Sequence, residues 1–407
     1  MKSWSAAHGR KRFSVWFTFA ASFAALLVSL TSMPTWADTR DQAKRIYDRI
    51  AGVPPDEQTL ATMAGLLGGT PADRIAAAMM ATEAPEFYSV TLKNFAAPWT
   101  NREQSVFVPL NDYTATVIGM VRDNEDFREI LRADIVCVGT TASLPPYSRT
   151  SNAHYEELER RGIDLKSDLD CVPQSSLTGV PAAATAGVMT TRAAAKAFFI
   201  DGTNRAMFRF TLMNHMCNDL EQVKDISRIP DRIRQDVSRS PGGDSRIFMN
   251  NCIGCHSGMD PLAGAYAHYD YVYDVDADPD GDNGQLVYDS TQVASKYFNN
   301  DNNFEHGYVT TDDSWLNYWR NGQNALLGWN TTLPASGNGA KSMGWELANS
   351  DAFAQCQVEK VFENVCLHPV EDDDDRQQIT SMVGSFRTNN YNLKQVYAES
   401  ALYCKGL

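Results

Sequence analysis

The chain has 407 residues, of which 43% are hydrophobic, 21% charged and 10% aromatic. This is a globular composition, and it excludes a disordered, collagen-like or many-span membrane chain. The formal charge is -14, and because the first 37 residues hold Lys2, Arg10, Lys11 and Arg12 and no acid, the remainder carries -18. A surface that acidic repels nucleic acid and anionic headgroups and favours basic or neutral partners.

Residues 1–12 are basic, residues 13–30 (FSVWFTFAASFAALLVSL) are apolar, and TSMPTWA follows with Thr35 and Ala37 as small residues before a cut. This is a secretory signal layout, with cleavage expected after Ala37. An uncleaved anchor is the competing reading, because the apolar run is just long enough to span a bilayer. No later stretch is long enough, so no membrane span is expected once the signal is removed. The mature chain is expected to be periplasmic or secreted, where disulfides persist.

Residues 38–240 read as a helical domain. DQAKRIYDRIAG is a helix ending at Gly52. TPADRIAAAMM opens with Thr70 as N-cap, Pro71 at the first helical position and Asp73 in the first turn. NDYTATVIGMVRDNEDFREILRADIV carries further apolar stripes, and residues 138–190 form an irregular, Pro-, Ser-, Thr- and Gly-rich connection around one polar helix, HYEELERRG. Helix returns over residues 191–224 with Phe198, Phe208, Leu212 and Met216 as core, and IPDRIRQDV reads as a short helix begun by Pro230. A boundary is placed near Ser240, and residues 241–407 form a second unit. EDDDD at 371–375 reads as a solvated acidic loop.

Eight cysteines are present: Cys137, Cys171, Cys217, Cys252, Cys255, Cys356, Cys366 and Cys404. Two lie in CIGCH, and the other six are even in number, as a disulfide set would be. The first expectation is a bridge among Cys356, Cys366 and Cys404 that pins the C-terminal tail to the preceding helix. The alternative is that one or two are buried thiols packing as small hydrophobes.

CIGCH carries the chemistry. Two thiols two residues apart with a histidine directly after match covalent attachment of c-type haem. The thiols add to one edge of the porphyrin, which delivers the neighbouring imidazole to the iron. Cys252 and Cys255 are then the anchors and His256 the first axial ligand. A redox-active CxxC would need a strand–helix context that the flanks do not supply. A zinc site of Cys252, Cys255 and His268 would lack a fourth ligand at finger spacing, since the next histidine is His306. Met343, shortly before a C-terminal helix in SDAFAQCQVEKVFENVC, is the candidate second axial ligand of the haem iron. His268, His306 and a vacant position are its rivals, and Met259 is too near His256 to reach the far side. The carbonyl beside Pro261 is a candidate to orient the imidazole; otherwise MDPL is simply a turn. Phe248, four residues before Cys252, resembles the aromatic on the first helix of small soluble c-type cytochromes, and that resemblance implies packing against the C-terminal helix, whose N-cap is Ser350 and whose apolar face is Phe353, Val361 and Phe362.

CIGCHSGMDPLAGAYAHYD resembles the motif of the large planctomycete-type cytochrome c proteins, in which CxxCH is followed by MDPLG and an aromatic–Asp pair. KRIYDRIAGVPPDEQTL, RFTLMNHMCNDLEQVKDIS with IPDRIRQDV, SDAFAQCQVEKVF and FRTNNYNLKQVYAESALYCKG resemble other segments of that family. The chain departs in reading PLAGAYA where the family has PLGFALE. The resemblance implies a secreted haem protein. The fold class expected is mainly α, a helical domain followed by a class I-like cytochrome c domain with irregular loop insertions.

A second metal is a further expectation. In YVYDVDADPDGDNGQLVYD, residues Asp276, Asp278, Asp280 and Asp282, with Gly281, match positions of an EF-hand-like calcium loop. Val287 stands where the closing Glu belongs, so Asp289 or another residue would have to complete the site; a polar surface loop is the alternative.

The function expected is that of an exported monohaem c-type cytochrome passing electrons to or from a protein partner with a basic docking face. The alternatives are a haem enzyme with an open iron site acting on peroxide or oxygen, and a non-redox haem sensor or binding module. The sixth ligand separates them. No Ser-His-Asp, P-loop or HExxH arrangement is present.

Overall fold

Helix-start signals act where the sequence places them. Asp38 caps α1 (Thr39–Ala51), which ends at Gly52 with φ 77°, a left-handed conformation that glycine adopts without Cβ strain. Asp56 caps α2 (Glu57–Leu67). Thr70 and Asp73 form a reciprocal capping box on α3 (Pro71–Ala81), with Pro71 in its first turn. These belong to a computed structural model that describes residues 38–200 and 202–406; the signal reading of residues 1–37 lies outside them.

Among the described residues the fold is mainly helical, 56% helix against 7% strand, and the three sheets found there are two-stranded. After α4 (Asp112–Arg122), β1 (Val136–Gly139) pairs antiparallel with β2 (Leu169–Val172), and Cys137 sits opposite Cys171, to which it is bonded. Gly119 of α4 lies directly on this bridge: a Cβ there would fall 2.3 Å from the Cys137 sulfur. The polar helix α5 (Ala153–Arg160) lies between the two strands in sequence. Helices α6 (Arg192–Phe198) and α7 (Arg205–Met216) follow, and Phe198, Phe208, Leu212 and Met216 are buried as expected.

The second half begins with a single π-helical turn (Phe248–Cys252) that runs into α8 (Ile253–Ala263). Hairpin β3 (Tyr269–Val272) with β4 (Gln285–Tyr288) and pair β5 (Ser314–Leu316) with β6 (Ser336–Asn338) precede four helices. These are α9 (Gly339–Ala348), α10 (Asp351–Cys366), α11 (Asp373–Thr388) and α12 (Leu393–Tyr403). Ser350 caps α10 by accepting from the Phe353 amide. Cys366 at the end of α10 bonds to Cys404 just past α12, so the tail is pinned to the preceding helix pair. Cys217 bonds to Cys356 across the two halves.

The halves on either side of Ser240 share one hydrophobic core. One buried cluster runs from Ala43 and Ile46 through Phe208 to Phe353 and Tyr397. Helices α1 and α3 pack on α12, and Phe87 meets Tyr397 edge-on at 5.0 Å. Arg49 donates to the Cys404 carbonyl at 2.8 Å. The physical reason is that the short helices at each end bury their apolar stripes only against each other.

Three local expectations are corrected. IPDRIRQDV is not a helix: its backbone is taken up by the 304–308 segment, with Tyr308 N donating to Ile233 O and Gln235 N to Tyr308 O. Asp373, Asp374 and Asp375 are not a loop but the first turn of α11, capped by Asp372; carboxylates there complement the helix dipole. MDPL is not a turn but the second half of α8, with Pro261 inside the helix.

Candidate haem site

Cys252, Cys255 and His256 fall at successive positions i, i+3 and i+4 on one side of the α8 segment, and all three side chains are half-buried. The π turn that carries Phe248 to Cys252 re-aims the side chains entering α8, a distortion that recurs at functional sites. Cys252 and Cys255 are the two cysteines outside any bridge among the described residues. The chain thus bonds six of its thiols and leaves the two of CIGCH unpaired.

α8 is held from two directions. The Asp225 amide donates to the Gly254 carbonyl at 2.9 Å, and the Ser257 hydroxyl donates to the Asp225 carbonyl at 3.1 Å. Trp319, fully buried, presses on the helix where it has no side chain: a Cβ on Gly258 would lie 1.9 Å from the Trp319 Nε1.

The imidazole is oriented from below. His256 Nδ1 lies 3.0 Å from Asp260 Oδ1, one helical turn on. Asp260 is itself fully enclosed and accepts Arg205 Nε at 2.7 Å and Arg205 Nη2 at 3.0 Å. Burial alone would raise its pKa; the Arg205 guanidinium, together with His256, outweighs it and holds the carboxyl well below the usual carboxylate range. An ionised Asp260 can only accept, so the contact places a proton on Nδ1. Nε2 makes no hydrogen bond among the described residues. A carboxylate behind one ring nitrogen with the other left open is the usual arrangement of a metal-ligating histidine. The orienting group is therefore the Asp260 carboxylate rather than a carbonyl beside Pro261. Its signal in the sequence is the four-residue spacing His256–Asp260 on one helix face; Arg205, fifty-odd residues away, has no such signal.

The Cys255 thiol is not tuned for thiolate chemistry. Cys255 Sγ donates to the Leu220 carbonyl at 3.5 Å, and burial, with the Glu221 carboxylate second, pushes its pKa up. Redox-active and zinc-binding cysteines need the opposite, an electropositive setting that stabilises the thiolate. Addition of S–H across a carbon double bond has no such requirement at rest. The flanking chain leaves apolar side chains in solvent: Ile226 is 74% exposed, Ile229 64% and Met249 56%. Ile226 leans on Gly254, between the two thiols in sequence, with its Cγ2 3.3 Å from where a Cβ would be. An exposed isoleucine beside the segment that carries two unpaired thiols and an oriented imidazole suits a flat apolar macrocycle. The residues present fit a haem.

Met343 is placed elsewhere. It is fully buried in the main core, whereas Cys252 belongs to a small separate cluster with Ile233, Val237, Phe248 and Ile253. Met343 and Cys252 thus belong to different buried clusters. Phe248 likewise packs in that small cluster, under Arg239 at 4.9 Å, and not against α10. Helices α8 and α10 both pack on α7 instead. Of the rival ligands, His268 is tilted against Tyr288 at 5.9 Å and His306 is 77% exposed beside Glu305.

The acidic loop does not converge. It is the connection of the β3–β4 hairpin, and its carboxylates cap backbone amides. Asp278 accepts the amides of Asp282 at 2.9 Å and Asn283 at 2.6 Å, Asp282 pairs with Lys196, and Asp276 and Asp280 are exposed. Val287 is in strand register opposite Asp270, and Asp289, the alternative closing residue, accepts instead from Thr291 and Gln292. Among the described residues the one convergent trio of ligand-type side chains is Cys366, His368 and Cys404, and two of these are joined in a disulfide.

No protein-family model, curated protein or solved structure matches the chain. No helix among the described residues is long and apolar enough to cross a membrane.

Proposed function

We propose that the protein is an exported monohaem c-type cytochrome that passes electrons between protein partners. The observation that carries this reading is the pair of unpaired thiols on the same half-buried face as an imidazole whose Nδ1 is bonded to Asp260. Cys252 and Cys255 hold the porphyrin through thioether bonds, and His256 Nε2 serves as the axial ligand. The bound haem supplies one-electron exchange at an iron whose potential is set by its ligands and surroundings. The chain's own work is to hold the imidazole in one tautomer, to seat α8 against Trp319, and to cover the edge of the macrocycle with Ile226, Ile229 and Met249. The similarity of CIGCHSGMDPL to the planctomycete-type cytochrome c motif points the same way. The chain's net charge of -14 favours a partner with a basic face, steered by long-range attraction that salt screens. Three disulfides suit a periplasmic or extracellular setting.

A second reading has one observation in its favour. Met343 is enclosed in the core; a haem held by Cys252, Cys255 and His256 without that thioether would supply an open iron position suited to peroxide or oxygen. The test uses full-length protein matured with a haem-attachment system. Reversible one-electron titration, slow carbon monoxide binding by the reduced form, and exchange with a basic redox protein that slows as salt is raised support the carrier. Rapid carbon monoxide binding with peroxide turnover replaces it with the enzyme.

A further inference from the structure

Three distant segments meet behind His256. Arg205 opens α7 directly after Asn204, which sits at φ 60° and whose side-chain amide donates to the carbonyls of Tyr266 at 2.8 Å and Tyr269 at 2.9 Å. That anchorage fixes where the guanidinium starts. Arg205 then spans two carboxylates, bonding Asp236 through Nη1 at 2.7 Å and Nη2 at 2.8 Å and Asp260 through Nε and Nη2. Arg234, nearly fully buried, lies 3.6 Å from Asp236 on the far side, and its backbone amide faces Asp260 Oδ2 at 3.4 Å. The guanidinium of Arg205 is shared between Asp236 and Asp260, while Arg234 stands beside Asp236 as a second cation. Its Oδ1 is also the atom that receives the His256 ring proton.

We infer that Asp260, gripped by Arg205 and through it by Asp236, is a positioning residue that makes His256 an electron-rich ligand and so favours the oxidised over the reduced state of the iron. The inference rests on the haem reading above. A carbonyl acceptor leaves the imidazole close to neutral, whereas a carboxylate draws its Nδ1 proton and raises the basicity of Nε2. Ionised acceptors make hydrogen bonds roughly twice as strong as neutral ones, and burial away from water preserves that strength. A more basic ligand stabilises the higher charge on the iron, so the site is built toward low potential. This is unlike the direction in which a methionine ligand would push it.

Two measurements test this. In the full-length chain without haem, nitrogen NMR of labelled histidine reads the ring tautomer of His256 directly. The proton is expected on Nδ1, and a ring protonated on Nε2 overturns the role of Asp260 whatever the chain later binds. In haem-matured protein, redox titration compares the unsubstituted chain with Asp260→Asn and Arg205→Lys. Asp260→Asn is expected to raise the ferrous-to-ferric ratio at fixed potential at least tenfold, equivalent to about 59 mV for a one-electron couple. Arg205→Lys, which keeps the charge but loses the two-point grip, is expected to raise it by less. An unchanged potential in a folded Asp260→Asn protein with its haem attached overturns the inference; if that variant fails to fold, the tautomer measurement decides. Absence of covalent haem in the unsubstituted chain counts against the haem reading instead, and the two failures are thereby distinguished.

Discussion

His215 and His256 show how one side chain is made inert or useful by its surroundings. His215, on α7, is fully enclosed. Its Nε2 lies 2.8 Å from the Tyr113 hydroxyl, its ring stacks on Phe353 at 6.4 Å and meets Trp99 edge-on at 5.3 Å, and its Nδ1 has no partner. Burial, with Lys360 nearby, drives its pKa well below the ordinary histidine value, so it stays neutral and serves packing. His256, on α8, is half-buried, and its bonded nitrogen faces inward to a fixed carboxylate. Its other nitrogen makes no hydrogen bond among the described residues. The lesson is that access decides the role: each ring has one bonded and one unbonded nitrogen among the described residues, but at His215 the unbonded Nδ1 is sealed inside the core, whereas the His256 ring is half-buried.

The sharpest way to break that contrast is to remove the thiols. Cys252→Ala with Cys255→Ala is expected to abolish covalently bound haem completely while the bare chain keeps its cooperative melting, read by haem staining and circular dichroism. Colour retained through denaturation would erase the difference between the two histidines. Met343→Ala comes next. As a fully enclosed core side chain it is expected to cost about 2–5 kcal/mol in denaturant unfolding, with no change in the ligand bands of the visible spectrum. A changed spectrum with little loss of stability would put Met343 on the iron. Replacing Cys366 and Cys404 by serine opens a loop of 38 residues and is expected to cost about 2–4 kcal/mol with haem content unaffected, because that bridge braces the shared core and not α8.

The smallest effect concerns the His215 region alone. Lys360 donates to the Asn214 carbonyl at 2.6 Å and lies over Trp99 at 4.4 Å; burial pulls its pKa down from 10.5 to about 7. A lysine whose folded pKa is depressed binds fewer protons folded than unfolded between those values, so stability rises with pH across that window. The rise expected is on the order of 1 kcal/mol, given that the ammonium keeps a hydrogen bond. It is expected to vanish in Lys360→Met, by thermal unfolding at pH 7 and pH 10. A rise that persists in the variant would assign it to another group.

Much of this was legible in the residues. Thr70, Pro71 and Asp73 spell a capping box locally, and Ser350 caps α10 for the same reason; such signals need only neighbours in sequence. CIGCH is equally local. What was hidden depends on pairing at a distance. Ile233 and Gln235 look helical until Tyr308 takes their backbone groups. Met343 stands at the right place in sequence for a ligand, yet the core that encloses it draws from α1 to α12. The spacing Asp276–Asp282 suggested a calcium loop, but its flanks pair as strands rather than helices, so the carboxylates turn to backbone amides. Arg205, the residue that fixes Asp260, is far from it in the chain and joins it only through the packing of α7 on α8.

The most direct test of the central claim is the intact mass of the full chain, matured in a host that attaches haem and then denatured with its disulfides kept. The account predicts a polypeptide heavier by one haem, with the added mass mapping to the peptide that holds Cys252 and Cys255. A bare polypeptide mass, with those two cysteines still open to a thiol reagent, would contradict it.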